Sequence, residues 1–251
     1  MATDSDRYDE RIDRSLLPLR DAYDREVAAL VNQIRETLIE MVKNFEPIAL
    51  NSDDPKISVY YQLNKELNDY RILTNTIVHS CEEFLTHIKG EGVIPNALER
   101  LWQRIQNNQL PPLWLSASYD TARTNLAHYI TEYSRKVDYW NAMIAEKFSS
   151  NCFMVSAFFD FRQLLIAKLQ EHARAKKLSV RKLVNKFEVT QLMDPEAAKT
   201  QFKNELMTND VTLLYGLHLE GAEWNVSEQL LQEPRGYAMQ QPFPVIALSQ
   251  V

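Results

Sequence analysis

Between Lys56 and Lys89 the sequence has neither proline nor glycine, and one seam recurs at steps of three and four residues: Tyr60, Leu63, Leu67, Tyr70, Thr74, Ile77, Cys81, Phe84 and Ile88. That spacing keeps the seam on one face of an α-helix. A helix with one apolar stripe must lay that stripe against something, and the sequence supplies a partner. From about Arg14 to Phe45, Val27, Val31, Ile34, Leu38, Met41 and Phe45 form a second stripe of the same period. Asn51, Ser52, Asp53, Asp54 and Pro55 carry turn chemistry between the two. The pair is expected to pack as an antiparallel hairpin, ridges into grooves.

Further along, Gly90 to Pro95 reads as a loop and Asn96 to Asn107 as a shorter helix around Leu98, Leu101, Trp102 and Ile105. NNQLPPLW, Asn107 to Trp114, reads as a rigid connector, because Pro111 and Pro112 cannot continue a helix and bias the residue before them to extended geometry. A long helix is expected from about Asp120 to Phe148, with Leu126, Ile130, Tyr133, Val137, Trp140 and Ile144 along one face. Phe153 to Lys177 is apolar at its start and helical after that, and Ser179 is placed to cap one further turn. Past Lys186 the grammar changes. Phe187–Val189, Val211–Leu219 and Phe243–Leu248 are β-branched or aromatic runs separated by polar or proline-rich linkers. The expected fold is mainly α: long antiparallel helices, then a small, incomplete C-terminal β-sheet or barrel element. Residues 1–110 are expected to form a long helical hairpin region and residues 111–251 a second domain of helices followed by the β element.

Function is bounded first by glycine. There are only five, at 90, 92, 216, 221 and 236. Phosphate-cradling loops need glycines clustered so that backbone amides reach the phosphates, and Gly90 and Gly92 are followed by no Lys-Ser/Thr pair. No Walker motif is present, so nucleotide hydrolysis is not expected of this chain alone. A net charge of −6 and a pI near 5.5 argue against nucleic acid as the main partner. No apolar run is long enough to span a bilayer, and the polar, acidic N-terminus does not read as a signal peptide. Two cysteines, Cys81 and Cys152, fit free core thiols in a reducing compartment. A cytoplasmic or cytoskeletal location is expected.

Candidate chemistry is sparse. His79, Glu83 and His87 share a helical spacing that metal ligands also use, but a solvated polar face opposite the seam explains them as well. Cys152 and His172 make a formal thiol–imidazole pair without the structured turn that nucleophilic catalysis requires. Glu82 and Glu83 point to different sides of a helix and read as surface. Arg174, Lys176, Lys177, Arg181, Lys182 and Lys186 form a basic cluster. It reads either as favourable charge at a helix end or as a docking patch for an acidic surface. No catalytic residue, cofactor or metal site is assigned.

Several stretches resemble the C-terminal region of dynein heavy chains. In order they are NNQLPPLW, LLIAKLQEHARAKKLSV, GLHLEGAEWN and PFPVIAL. Asn108, Gln109, Pro111 and Trp114 match that family's N-Q-V-P-x-x-W. Gln170, His172, Ala173 and Arg174 match its Q-x-H-A-R. Gly216, Leu217, Leu219, Glu220, Gly221, Ala222 and Trp224 match G-L-x-L-E-G-A-x-W, and Pro244, Val245, Ile246 and Leu248 match P-V-I-x-L. YRILTNTIVHS, Tyr70 to Ser80, echoes a further helix, so the likeness covers about Leu67 to Leu248. The E-G-A-x-W form looks more like axonemal than cytoplasmic heavy chains. There are departures. Ala157, Asp160 and Gln163 replace family glycines and a proline, and the first fifty residues carry no motif that places them.

The resemblance implies a non-catalytic structural and regulatory part of a minus-end-directed microtubule motor, whose ATPase modules lie outside this chain. Its partners would be the AAA ring or other dynein-complex subunits, with microtubules met only indirectly and no nucleic acid or membrane. The setting would be cytoskeletal, including the axoneme of a cilium or flagellum. Pro111, Trp114, His172, Arg174, Gly216, Glu220, Gly221, Trp224 and Pro244 would be structural landmarks. Gly221 would permit a backbone conformation that a β-carbon forbids, and Trp224 would anchor the turn. Residues 1–110 would hold the end of a sixth AAA module or an unrelated addition. The family also continues past P-V-I-x-L with strands that complete a small barrel, so a sequence ending at Val251 is expected to leave strand edges open. Two other readings stay open. One is a stand-alone helical scaffold or docking protein of cilia or cytoskeleton, using the two long seams as a coiled coil. The other is a small hydrolase or metalloenzyme built on His79 and His87.

Overall fold

The computed structural model describes Arg25, Ala28, Ala29, Val31 and Asn32, then residues 47–88, 95–119, 125–234 and 240–251. The helix expected over Arg14 to Phe45, and with it the hairpin, lies outside the described residues apart from those five helical positions. The Gly90–Pro95 loop, save Pro95, also lies outside them. By compactness the protein divides into two units, Met1–Asn44 with Arg71–Ser134 and Phe45–Tyr70 with Arg135–Val251.

Helix α1 runs Ile57–Ile88, α2 Asn96–Gln106, α3 Pro112–Ala117 and α4 Leu126–Ala145. None of the described helices is long and apolar enough to cross a membrane. The α1 seam is buried from Leu63 through Phe84, Tyr60 being partly exposed. Of the expected connector Asn107 to Trp114, residues 107–111 do join two helices, but α3 already begins at Pro112. Pro111 takes the extended N-cap position and Pro112 the first turn of α3, where a missing N–H costs nothing because that donor has no partner inside the helix.

In the first unit the core is aromatic, and Trp114, Tyr129 and Tyr133 each make a hydrogen bond through their polar atom. Trp114 is fully buried and its indole Nε1 donates to Ser80 Oγ at 2.8 Å; Ser80 in turn donates to the Ile77 carbonyl at 2.8 Å. Tyr119, Tyr129 and Tyr133 stack in sequence, with ring centroids 5.9 and 6.3 Å apart. The Tyr129 hydroxyl bonds Ser118 at 2.7 Å and that of Tyr133 bonds Thr74. Burial pushes the Tyr129 phenol up to about 12 and raises Tyr133 as well, so both stay neutral hydrogen-bonding groups. Asn108 closes the entrance to α4: its carbonyl takes the Leu126 N–H and its side-chain oxygen the Ala127 N–H, both at 3.0 Å.

In the second unit, β1 is Cys152–Met154, α5 Phe161–Lys176, β2 Asn185–Val189, α6 Pro195–Gln201, α7 Lys203–Met207 and β3 Val211–Tyr215. Short strands β4 (His218–Glu220), β5 (Glu223–Asn225), β6 (Leu230–Gln232) and β7 (Gln240–Pro242) precede β8, Ile246–Gln250. The main sheet has the order β1-β3-β8-β2, with β1 parallel to β3 and the other pairs antiparallel. It is an open mixed sheet, not a barrel: β1 and β2 are its two edges and pair with different neighbours. On one face Cys152, Leu213 and Ala247 pack with Ala198 of α6 and Val245, flanked by Phe202 and Leu206. Asp194 caps α6 by accepting the Glu196 and Ala197 N–H groups, with Pro195 at the first turn. The apolar start expected to lead into a helix at Phe153 is a strand, because three consecutive buried side chains need both faces of a sheet covered.

The expected strand Val211–Leu219 breaks in two at Gly216 and Leu217, where Gly216 sits at φ +77°. Before α5 the backbone is held by Glu66 of α1, which has no solvent exposure. Its carboxylate accepts the Phe159 N–H at 2.6 Å, the Asp160 N–H at 3.2 Å and the Gln62 amide at 2.8 Å. Tyr70 supports the same turn, donating to the Ala157 carbonyl at 2.8 Å and meeting Phe159 edge-on at 5.1 Å.

Two stability measurements check this packing. Trp114→Phe removes one buried hydrogen bond and leaves Ser80 its own bond to Ile77, so urea denaturation is expected to show a loss of about 1–3 kcal/mol. At Glu66, burial raises the carboxyl above its ordinary 4.5 against three opposing hydrogen bonds. A raised folded-state value means the proton stabilises the fold: this contribution is complete below 4.5 and lost as pH rises through the raised value. The stability of wild type minus that of Glu66→Gln is therefore expected to fall from pH 4.5 toward neutrality. A difference that rises over that range would show that the donors outweigh burial.

Candidate functional site

Lys177, in the left-handed region at φ 56°, ends α5 and turns the backbone outward. The segment that follows crosses a short 3-10 turn, Val180–Lys182, into β2. Ser179 stands at the N-cap of that turn without a side-chain capping bond. Pairing with β8 fixes β2 through Asn185↔Gln250, Phe187↔Leu248 and Val189↔Ile246, and Val184 and Val251 exchange backbone hydrogen bonds at 2.7 and 3.0 Å. The opposite edge of β2 is unpaired among the described residues. Apolar side chains stand outward along this stretch: Val184 is 64 % exposed and Phe187 50 %, with Leu178 and Val180 also exposed. Interleaved with them are Lys177, Arg181, Lys182 and Lys186, all exposed. An open edge with both apolar and cationic side chains is equipped to receive an extended acidic segment by strand addition.

Within the same unit lies a polar cluster that the sequence did not single out. Lys168 of α5 is buried; its ammonium donates to Glu171 Oε2 at 2.5 Å and to Asn151 Oδ1 at 3.1 Å. Asn151, just before β1, also bonds Asn209. Burial pushes the Lys168 ammonium below its ordinary value, Glu171 pulls it back up, and Lys56 nearby depresses it further. A lysine and a glutamate three positions apart on a helix were the available signal. For Glu66 it was a carboxylate three residues from Leu63 and four from Tyr70, inside an apolar seam.

The landmark residues are spread over several elements. Pro111 is buried ahead of α3, and Trp114 lies within that helix, bonded to Ser80. His172 is half-buried on α5 and lines a cavity with Lys168 and Glu171, while Arg174 is exposed and donates to Ser58 Oγ at 2.6 Å. Gly216 lies at φ +77° between β3 and β4, and Gly221 at φ +67° between β4 and β5. Glu220 is exposed, in register with Gln240. Trp224 is half-buried and packs edge-on against Phe243 at 5.2 Å; Pro244 is buried beside Val245. These residues do not converge on one pocket.

Among the other candidates, Cys152 is buried and its thiol pushed up to about 12 by that burial, so it stays protonated at neutral pH. No hydrogen bond joins it to His172 among the described residues. His79 and Glu83 form an exposed pair at 3.5 Å, and His87 lies in the last turn of α1. No group of three or more His, Cys, Asp or Glu side chains placed to hold a metal occurs among the described residues.

The family model for the C-terminal domain of the dynein heavy chain matches residues 8–251. Mouse dynein axonemal heavy chain 1 is 29 % identical over 212 residues, covering 82 % of this protein and 5 % of that one. Human dynein axonemal heavy chain 6 is 26 % identical over 200 residues, 73 % of this protein and 5 % of its own length. The ciliary dynein beta chain of Tripneustes gratilla is 23 % identical over 231 residues, 91 % of this protein and again 5 % of its own length. The sequence thus spans about a twentieth of the length of these relatives.

The two positive-φ glycines allow a paired test. A β-carbon on Gly216 would meet Met154 Cγ at 2.9 Å and Ser156 Oγ at 3.2 Å, whereas one on Gly221 meets nothing within 4 Å. Gly221→Ala is expected to cost about 1 kcal/mol, the backbone strain alone. Gly216→Ala carries that strain plus the clash and is expected to cost roughly 2–3 kcal/mol by urea or thermal denaturation.

Proposed function

This protein belongs to the family of dynein heavy-chain domains found at the C-terminal end of those motors, and on that premise we propose that it is a structural and regulatory, non-catalytic part of an axonemal dynein heavy chain. The parent motor hydrolyses ATP elsewhere and moves along microtubules; this region meets the motor's other parts and touches microtubules only through them. Its setting is the cytoskeleton of a cilium or flagellum. The reading is supported by relatives named as axonemal and ciliary chains and by a sequence with no phosphate-binding loop.

The observation that carries the reading is the open edge of β2, with Val184, Phe187 and their lysine neighbours exposed. Since matched relatives extend far beyond this region, most of a heavy chain is available to cover that edge. We assign the edge as the docking surface for another segment of the heavy chain. Main-chain bonds to β2 would supply affinity, and the apolar and basic side chains would set register and partner.

A binding measurement tests this. The purified protein is mixed with an axonemal dynein motor ring lacking its own C-terminal region, and complex formation, ATPase rate and microtubule gliding speed are followed. Co-elution with a changed gliding speed is expected, and V184D/F187D is expected to weaken the complex by about tenfold or more. Failure to bind the ring, together with self-association of the isolated protein, would favour the scaffold reading instead.

A further inference from the structure

In the second unit a cavity of about 360 Å³ lies between the start of α1, the loop from α4 into β1 and the α6–α7 pair, lined in part by Lys56, Ser149, Ser150, Lys199, Lys203 and Met207. Three of these are lysines, and among the described residues no carboxylate and no aromatic ring lines the cavity. Lys199 is held by Glu196 at 2.7 Å. Lys56, half-buried, and Lys203, exposed, make no ion pair or side-chain hydrogen bond among the described residues. The exposed Ser149 hydroxyl makes none either, while Ser150 Oγ accepts the Cys152 N–H at 3.3 Å and keeps its own proton to donate. Asn151 is committed to Asn209 and Lys168, which fixes the loop that carries both serines. Met207 adds an apolar side chain that is 77 % exposed.

We propose that this cavity binds a phosphorylated serine or threonine of another polypeptide segment. Ammonium groups and hydroxyls are the donors on offer, so the ligand must accept, and two unpaired cations beside a third call for more than one negative charge. A phosphoryl monoester supplies up to two charges and three acceptor oxygens near neutral pH, whereas a carboxylate brings one charge and two oxygens. The volume corresponds to roughly twelve waters at about 30 Å³ each, more than a free phosphate ion fills, so the phosphoryl group arrives on a larger body. A nucleotide fits less well, because its base finds no aromatic ring here to stack on. Leu206 and Met207 instead offer contact to an aliphatic side chain beside the phosphorylated residue, and methionine adapts to varied shapes. Recognition through side chains needs none of the clustered glycines that a backbone cradle requires. The site is separate from the β2 edge and does not depend on the docking reading.

The test is titration calorimetry on the whole 251-residue protein at low salt and about pH 7.5, above the second phosphoryl ionisation near 6. The probe is an acetylated glycine-rich pentapeptide with phosphoserine followed by leucine. One saturable site is expected, at least about tenfold tighter than for the same peptide with glutamate in place of phosphoserine. Inorganic phosphate and adenosine monophosphate are both expected to bind more weakly than the phosphopeptide. K56Q and K203Q, with folds checked by circular dichroism and urea midpoint, are each expected to weaken the phosphopeptide about threefold or more, and together about tenfold or more. K65Q removes an exposed lysine of α1 outside the cavity and is expected to leave binding unchanged. Should K56Q fail to fold, the exposed position in K203Q decides the matter. No saturable phosphopeptide binding at millimolar concentration would overturn the proposal. So would equal binding of the glutamate peptide, inorganic phosphate or adenosine monophosphate, unchanged affinity in K203Q, or an equal loss in K65Q.

Discussion

A carboxylate without solvent contact, Glu66, sets how the second unit is assembled. Its acceptor capacity goes to two successive backbone N–H groups, of Phe159 and Asp160, and to the Gln62 side-chain amide. Those two donors belong to the turn that launches α5, so the carboxylate determines where the helix begins. Asp160 then caps α5 with its own side chain, accepting the Arg162 N–H. Everything α5 carries depends on this start: the Lys168–Glu171 pair, the His172 wall of the cavity, and the left-handed exit at Lys177 that directs the backbone toward β2. Burying a charge this way is unfavourable, and burial raises the Glu66 carboxyl against the pull of the three hydrogen bonds. Conformational definition is what the arrangement supplies, since no apolar side chain could hold two adjacent backbone donors.

Polar ties of the same kind govern the sheet. Lys168 reaches Asn151 ahead of β1, and Asn151 reaches Asn209 ahead of β3, so the entries of two parallel neighbouring strands are tied to α5 by side-chain hydrogen bonds. With β1 buried on both faces at one edge, the sheet's open side is left at β2, whose residues are exposed or half-buried throughout. Lysines on an edge strand discourage uncontrolled pairing while leaving a chosen partner possible. That combination suits the docking role proposed for this edge.

Much of this was legible beforehand, for identifiable reasons. The α1 seam declared itself because a long run without proline or glycine, with a sustained period, admits few other structures, and Leu63 through Phe84 are buried as a stripe requires. The runs Phe187–Val189, Val211–Leu219 and Phe243–Leu248 stood out by their β-branched and aromatic content, and strands occupy Asn185–Val189, Val211–Tyr215 and Ile246–Gln250. Other elements did not. Two adjacent prolines at Pro111 and Pro112 read as a connector, yet one sits at an N-cap and the other in a first turn, where proline is no obstacle to a helix. Phe153 read as a helix entrance because a short apolar run has no period of its own. Helices α6 and α7 escaped notice for the opposite reason, being brief, polar and nearly without an apolar stripe.

By itself the sequence determined the helical body, the late change to strands, the absence of a phosphate-cradling loop and the likeness to dynein heavy chains. Those are properties of local period, local composition and ordered motifs, which survive in a linear string. Only the tertiary structure decided that Glu66 commits its charge to a distant turn and that Lys168, Glu171 and Asn151 meet. It also left the sheet open at β2 and enclosed a cavity beside Lys56. The ties from Lys168 to Asn151 and from Glu66 to Asp160 bring atoms together across 17 and 94 positions of sequence. The value of a buried charge is set by its neighbours in space, and residue order alone does not specify them.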